Sequence, residues 1–155
     1  MRRLSYLEGC LVLAAAAMLP LVGLSLYLLG YRRTAAFLTR TAPSAVRQPR
    51  PGSDALAVAA TVRRCVRIAA QWGPYRATCL RQSLVLRWLL QWARVPAVLR
   101  LGVRRHSGEF SAHAWVEVAG RPVNDSADVA TRFLPFYGTE SDPAVRLSES
   151  RPVRP

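Results

Sequence analysis

Three stretches of the chain carry three different hydrophobic patterns. From Gly9 to Gly30 there are 22 residues without a charge, rich in Leu and Ala. That length suffices for a helix to cross a bilayer, and Pro20 and Gly23 would kink such a helix without forbidding it. Further on, Leu56, Ala59, Val62, Val66 and Ala69 recur at helical spacing, which predicts a helix from Ser53-Asp54 to about Gln71, stopped by Gly73-Pro74. A second amphipathic helix is predicted from Cys79 to about Arg94. Its stripe is Leu80, Leu84, Trp88 and Trp92, widened by Val85 and Leu89, and Pro96 marks its end. The period then falls from 3.6 to 2. Ala97, Leu99, Leu101 and Val103 alternate with Val98, Arg100, Gly102 and Arg104. After the loop RRHSGE, Phe110, Ala112, Ala114, Val116 and Val118 alternate with Ser111, His113, Trp115 and Glu117. Ala119-Gly120-Arg121 reads as a turn, and Pro122 to Asp125 begins a third strand.

Helices followed by an antiparallel meander define an α+β domain. The expected organisation is a hydrophobic helical segment over residues 1–40, a linker over 41–53, the domain proper over 54–138 and a tail over 139–155. The linker, TAPSAVRQPRPGS, has three prolines and no apolar period. The tail is rich in Ser, Pro and Arg and is expected to fray.

Charge changes this picture little. The net charge of +13 comes from Arg alone, since the 155 residues contain no Lys. Such a balance reflects either a coding bias toward Arg, Ala, Val and Pro or an acidic partner, such as anionic lipid, nucleic acid or an acidic peptide. The Arg residues are scattered and form no aromatic-interleaved patch, so no nucleic-acid partner is expected. Arg2 and Arg3 precede the apolar stretch and Arg32 and Arg33 follow it, so the positive-inside rule assigns no orientation. Membrane contact and docking on the domain are both open for residues 9–30, and the expected location is cytoplasmic, with membrane association through that stretch.

The three cysteines are Cys10, Cys65 and Cys79. Their odd number and wide spacing argue against a disulfide framework and fit a reducing compartment. With no C-x-x-C and only His106 and His113, no metal site and no cofactor are expected. Cys10 falls in the apolar run and Cys65 in mid-helix; both are expected to be buried and inert. Cys79 differs. It lies where a polar loop meets an apolar helix, so the helix dipole favours its thiolate. His113 follows on a strand and Asp125 comes 12 positions later, across a turn. A cysteine at a helix start, with a histidine and an acid on neighbouring strands, is a recurring arrangement for acyl transfer.

The hairpin register tests that grouping. If the turn is Ala119 to Arg121, Val118 faces Pro122 and Trp115 faces Asp125. Asp125 then lies diagonal to His113 on one sheet face, at a Cα separation of about 7–8 Å. A turn one residue longer or shorter would put the two on opposite faces. Trp115 shares the strand face of His113, and Ser83 lies one helical turn after Cys79; both are candidate substrate contacts, with core filling for Trp115 and helix packing for Ser83 as the alternatives. The backbone N–H of Cys79 is a candidate oxyanion donor.

The stretch CLRQSLVLRWLLQWARVPAVLRLGVRR, followed by GEFSAHAWVEVAGRPVND, resembles the leader peptidases of lasso-peptide biosynthesis, in the transglutaminase-like superfamily. The resemblance covers about a third of the chain, residues 77–126. It implies a transglutaminase-like, papain-like cysteine peptidase core in its stand-alone form, and a catalytic triad of Cys79, His113 and Asp125. The implied activity is removal of the leader from a ribosomally made precursor. The implied partners are the precursor leader, a small leader-recognition protein and an asparagine-synthetase-like cyclase. Two other readings stand beside it: a different acyl-transfer enzyme with the same triad, and a non-catalytic membrane-associated adaptor.

Overall fold

The computed structural model describes residues 5–42, 52–72, 77–106 and 109–135. Most of the expected linker, the Gly73-Pro74 stop, the centre of the RRHSGE loop and the tail over 139–155 lie outside these residues.

The apolar stretch extends into α1, Tyr6–Thr41. Ser5 caps it by a capping box: its hydroxyl accepts from the Glu8 N–H, and Glu8 Oε2 accepts from the Ser5 N–H. Pro20 and Gly23 remain within helix. The break comes at Gly30, with φ 74° and ψ 175°, a left-handed backbone state that costs Gly least. Thr34 Oγ1 donates to the Gly30 carbonyl and lies 2.8 Å from Ser25 Oγ, strapping the two halves together. Between the halves is a cavity of about 550 Å³, lined by Met18, Leu21, Leu29, Phe37, Leu38 and Trp88 among others.

The α1 helix is long and apolar enough to cross a membrane, yet one of its faces is docked. Ala15, Leu19, Val22 and Leu38 share a buried cluster with Ala59, Val62 and Val66 of α2 (Gly52–Trp72) and with Leu84, Leu86 and Leu90 of α3 (Cys79–Trp92). Complete burial of one such Val or Leu side chain is worth about 1.5–3 kcal/mol. The other face of α1 leaves Leu13, Leu21, Leu24, Tyr27 and Leu28 exposed.

The α3 helix touches both other long helices and the sheet. It is therefore apolar on more than one side, and its buried set runs Ser83, Leu84, Val85, Leu86, Leu89 and Leu90. Trp92, expected in the core stripe, is half exposed at the helix end.

The sheet is antiparallel, in the order β3-β2-β1-β4. The strands β1 (Val98–His106) and β2 (Glu109–Val118) run further than expected, pairing as far as His106 with Glu109. Short strands β3 (Arg121–Pro122) and β4 (Leu134–Pro135) flank them, and α4 (Val129–Arg132) lies between those two in sequence.

The alternation along β1 and β2 maps onto two faces. Leu99, Ala114, Val116 and Val118 are buried, all but Ala114 in the cluster with α3. The opposite face carries Arg100, Gly102, His113, Trp115 and Glu117, and it is not simply solvated. Trp115 is fully buried there in a second small core with Val129 and Phe133. Gly102, paired with His113, makes this possible. A Cβ at Gly102 would come within 2.9 Å of both the Trp115 ring and Phe133 Cβ.

The β2–β3 turn departs from expectation. Val118 pairs with Arg121 and Glu117 with Pro122, so the loop is Ala119-Gly120, with φ 51° and 73°. Two consecutive positive φ values are those of a type I′ hairpin, which matches the strand twist. The turn is one residue shorter than the three-residue reading, and that register alone would send Asp125 to the wrong face.

Candidate active site

The chain leaves the ladder before the shorter register can take effect. Val123 N–H donates to the Val116 carbonyl at 2.9 Å. The reciprocal bond is replaced: Val116 N–H donates to the Asn124 side-chain Oδ1 at 2.7 Å. With the side chain substituting for a strand carbonyl, the backbone from Val123 to Asp125 bends instead of continuing as strand. Asp125 is thereby freed from strict alternation. Its Oδ2 is hydrogen-bonded to His113 Nε2.

Asp125 is well held. Its Oδ1 accepts from the Ser126 N–H at 2.7 Å, the Ser126 hydroxyl at 3.1 Å and Arg132 at 3.0 Å. Partial burial would raise its pKa, but the hydrogen bonds from Ser126 and His113 and the charge of the imidazole outweigh it and hold the carboxyl below the usual range. Arg132 also pairs with Asp128 one helical turn away.

His113 is fixed on three sides. Its ring stacks on Trp115 at a centroid distance of 6.3 Å and lies 4.9 Å from the Phe133 ring. Arg104 and Arg132 cover the Phe133 ring at 5.2 and 5.9 Å. Because Nε2 is engaged by Asp125, Nδ1 is left as the basic nitrogen, and among the described residues it has no hydrogen-bond partner.

Cys79 is the first residue of α3, with Thr78 as N-cap in extended conformation. Thr78 makes no side-chain cap, so among the described residues no capping side chain competes for the first-turn N–H groups, which can favour an anion. The thiol is half-buried and free. No hydrogen bond joins it to His113 among the described residues. The start of α3 is nonetheless tied to the strand that bears His113. Ser83, one turn on from Cys79, donates to the Ala114 carbonyl at 3.0 Å.

The other cysteines are not rivals in position. Cys65 is buried in α2, where burial pushes its thiol pKa up and the nearby Glu8 adds to the effect. Cys10 is exposed on α1 rather than buried; it falls on the side of the helix turned away from the domain.

Neither expected substrate contact presents surface. Trp115 and Ser83 are both fully buried. Trp115 Nε1 donates to Glu117, which also pairs with Arg100 at 3.1 Å, and the Ser83 hydroxyl is engaged by Ala114 and Asn124. Both support the site from behind. The residues that sequence reasoning passed over are Asn124, Ser126, Arg132 and Phe133. The adjacency of Asn124 to Asp125 was the one available signal.

The depressed pKa of Asp125 has a consequence for acid stability. A group that ionises more readily when folded stabilises the fold above its unfolded value, about 3.9. That stabilisation is lost as pH falls through the lower, folded value. Thermal melts from about pH 6 down to about pH 2 should therefore fall more steeply for the wild type than for Asp125→Asn. Parallel curves would exclude the linkage.

The architecture is an α+β domain with a cysteine at the N-terminus of a helix and a histidine–carboxylate pair at the sheet to which that helix is bonded. Residues 18–137 match the family model described as the transglutaminase-like superfamily. The chain belongs to that superfamily, which includes cysteine peptidases and acyl-transferases and whose members commonly use Cys, His and Asp. No curated protein and no solved structure is a match for it.

Proposed function

We propose that the protein is a cysteine peptidase that removes the leader from a ribosomally made lasso-peptide precursor, with Cys79 as nucleophile, His113 as base and Asp125 as its orienting partner. The observation that carries the chemistry is the His113–Asp125 pair, engaged through Nε2 and leaving Nδ1 free. The peptide class rests on the CL-x-x-SL and AHAWVE…ND elements.

In this mechanism Nδ1 of His113 takes the proton of Cys79, and the thiolate attacks the scissile carbonyl. The C–N bond breaks as His113 returns the proton to the leaving amine, the new N-terminus of the core peptide. Water, deprotonated by His113, then hydrolyses the thioester and frees the leader as a carboxylate. Asp125 holds the imidazole tautomer and stabilises its charged form. The N–H of Cys79 is one oxyanion donor. The recognition protein would present the leader, and the cyclase would close the ring on the released core.

The test is mass spectrometry of precursor incubated with this protein and the recognition protein. Free leader carrying a new carboxylate is expected. Leader joined to an amine instead would move the assignment to another acyl-transferase. An intact precursor, with Cys79 no more reactive to iodoacetamide than an ordinary thiol, would leave the adaptor reading.

A further inference from the structure

Between the Cys79 helix and the His113–Asp125 pair lies a buried polar chain that the mechanism above does not use. Ser83 is completely buried. Its hydroxyl donates to the Ala114 carbonyl at 3.0 Å and accepts from Asn124 Nδ2 at 2.9 Å. The other end of the Asn124 amide, Oδ1, accepts from the Val116 N–H at 2.7 Å.

Each member of this chain adjoins a residue of the proposed triad. Ser83 is one turn, about 6 Å of helix rise, from Cys79. Ala114 follows His113, and Asn124 precedes Asp125. Beyond Glu117 the short β3 gives the edge of β2 only the Val123 N–H, on the Val116 carbonyl, and Ser83 and Asn124 take the Ala114 carbonyl and the Val116 N–H.

We propose that Ser83 and Asn124 are positioning residues that hold the N-terminal turn of α3 against that edge of β2, setting Cys79 in reach of His113. This deepens the function proposed above, since it rests on Cys79 and His113 acting as a pair. Packing alone gives no reason for polar groups here. Apolar side chains of similar shape would avoid the cost of desolvating a hydroxyl and an amide. What a hydrogen-bonded chain adds is register, because each bond has one partner and a narrow range of length and angle. The Ser83 hydroxyl has a single proton, and Ala114 accepts it. Asn124 must therefore donate to Ser83, while its carbonyl oxygen ends the β3 ladder. Aspartate at 124 would keep the second bond and lose the first.

The readout is the pH dependence of iodoacetamide alkylation at Cys79, which reports the thiol–imidazole pair without any peptide substrate. The proteins are the full chain with Ser83→Ala, Asn124→Asp, the double variant and His113→Ala, each checked by circular dichroism. In the wild type, enhanced alkylation near neutral pH should disappear in His113→Ala. Ser83→Ala and Asn124→Asp should lower the neutral-pH rate by about tenfold to about a hundredfold, the scale on which misplacement of about 1 Å acts. The double variant should be no worse than the weaker single variant, since both break one chain. Should Ser83→Ala not fold, Asn124→Asp carries the test, because it keeps the bond to Val116.

Two results overturn the inference, and they are distinct. If the wild type keeps a profile dependent on His113 and folded Ser83→Ala and Asn124→Asp share it unchanged, the clamp fails and the peptidase reading stands. If the wild-type profile is that of an ordinary thiol and is unmoved by His113→Ala, the pair itself is absent, and both fail.

Discussion

Cys79→Ala is expected to lower the rate of leader release by about 10⁴-fold or more, the scale on which loss of a triad member acts in other hydrolases. The fold should survive. Cys79 is half-buried at a helix start, and Ala is a better helix former. His113→Ala should be as severe, because nothing else among the described residues occupies the place of its Nδ1. Its removal leaves Asp125 with Ser126 and Arg132, so that carboxylate keeps partners. The two single variants and their double should have similar rates, since nucleophile and base act as one unit. Timed mass spectrometry of the released leader, beside a thermal melt of each variant, measures this. Release at the wild-type rate from either single variant ends the triad assignment.

The second large effect concerns the core beneath His113. Trp115→Ala is expected to cost about 3–5 kcal/mol of stability, as for other buried Trp side chains, out of a total of about 5–15 kcal/mol for a domain. Three observations set this magnitude. Trp115 is completely buried, its ring fills the space above Gly102, and its indole N–H is bonded to Glu117. The same change removes the ring on which His113 stacks, so whatever protein remains folded should also be slower. Urea denaturation of the wild type and the variant gives the free energy. A loss below about 1 kcal/mol would mean that this second face behaves as an exposed surface.

The α1 helix combines docking and exposure in a way that bears on location. Its inner face belongs to the same buried cluster as α2 and α3, while Leu21, Leu24, Tyr27 and Leu28 stay outward. Of the two arrangements open for it from sequence, membrane contact and docking on the domain, its inner face shows docking, because it shares a core with the other helices. The exposed face remains free for lipid or a partner protein.

Much was legible in the linear pattern because it depends on neighbours in sequence. The spacing of Leu56, Ala59, Val62 and Val66 marks α2, and the period-2 runs mark β1 and β2. The polar loop before an apolar helix singles out Cys79 among three cysteines. The ends of elements were less legible. The RRHSGE loop shrinks because β1 and β2 keep pairing to His106 and Glu109, and the stripe on α3 blurs because that helix is buried from several sides.

The instructive case is Asp125. His113 and Asp125 are hydrogen-bonded, but not through the expected register, since the Ala119-Gly120 turn is one residue short of it. Two residues in positive φ close the hairpin, and Asn124 then replaces a strand carbonyl so that the chain can turn off the ladder. Alternation within a strand follows from local backbone geometry, so the sequence alone decided which residues of β2 share a face. Where that strand's partner ends is set by a side chain from outside the ladder competing for one N–H. Only the tertiary structure could decide that competition, because Asn124 is held in it by Ser83, 41 positions earlier in the chain.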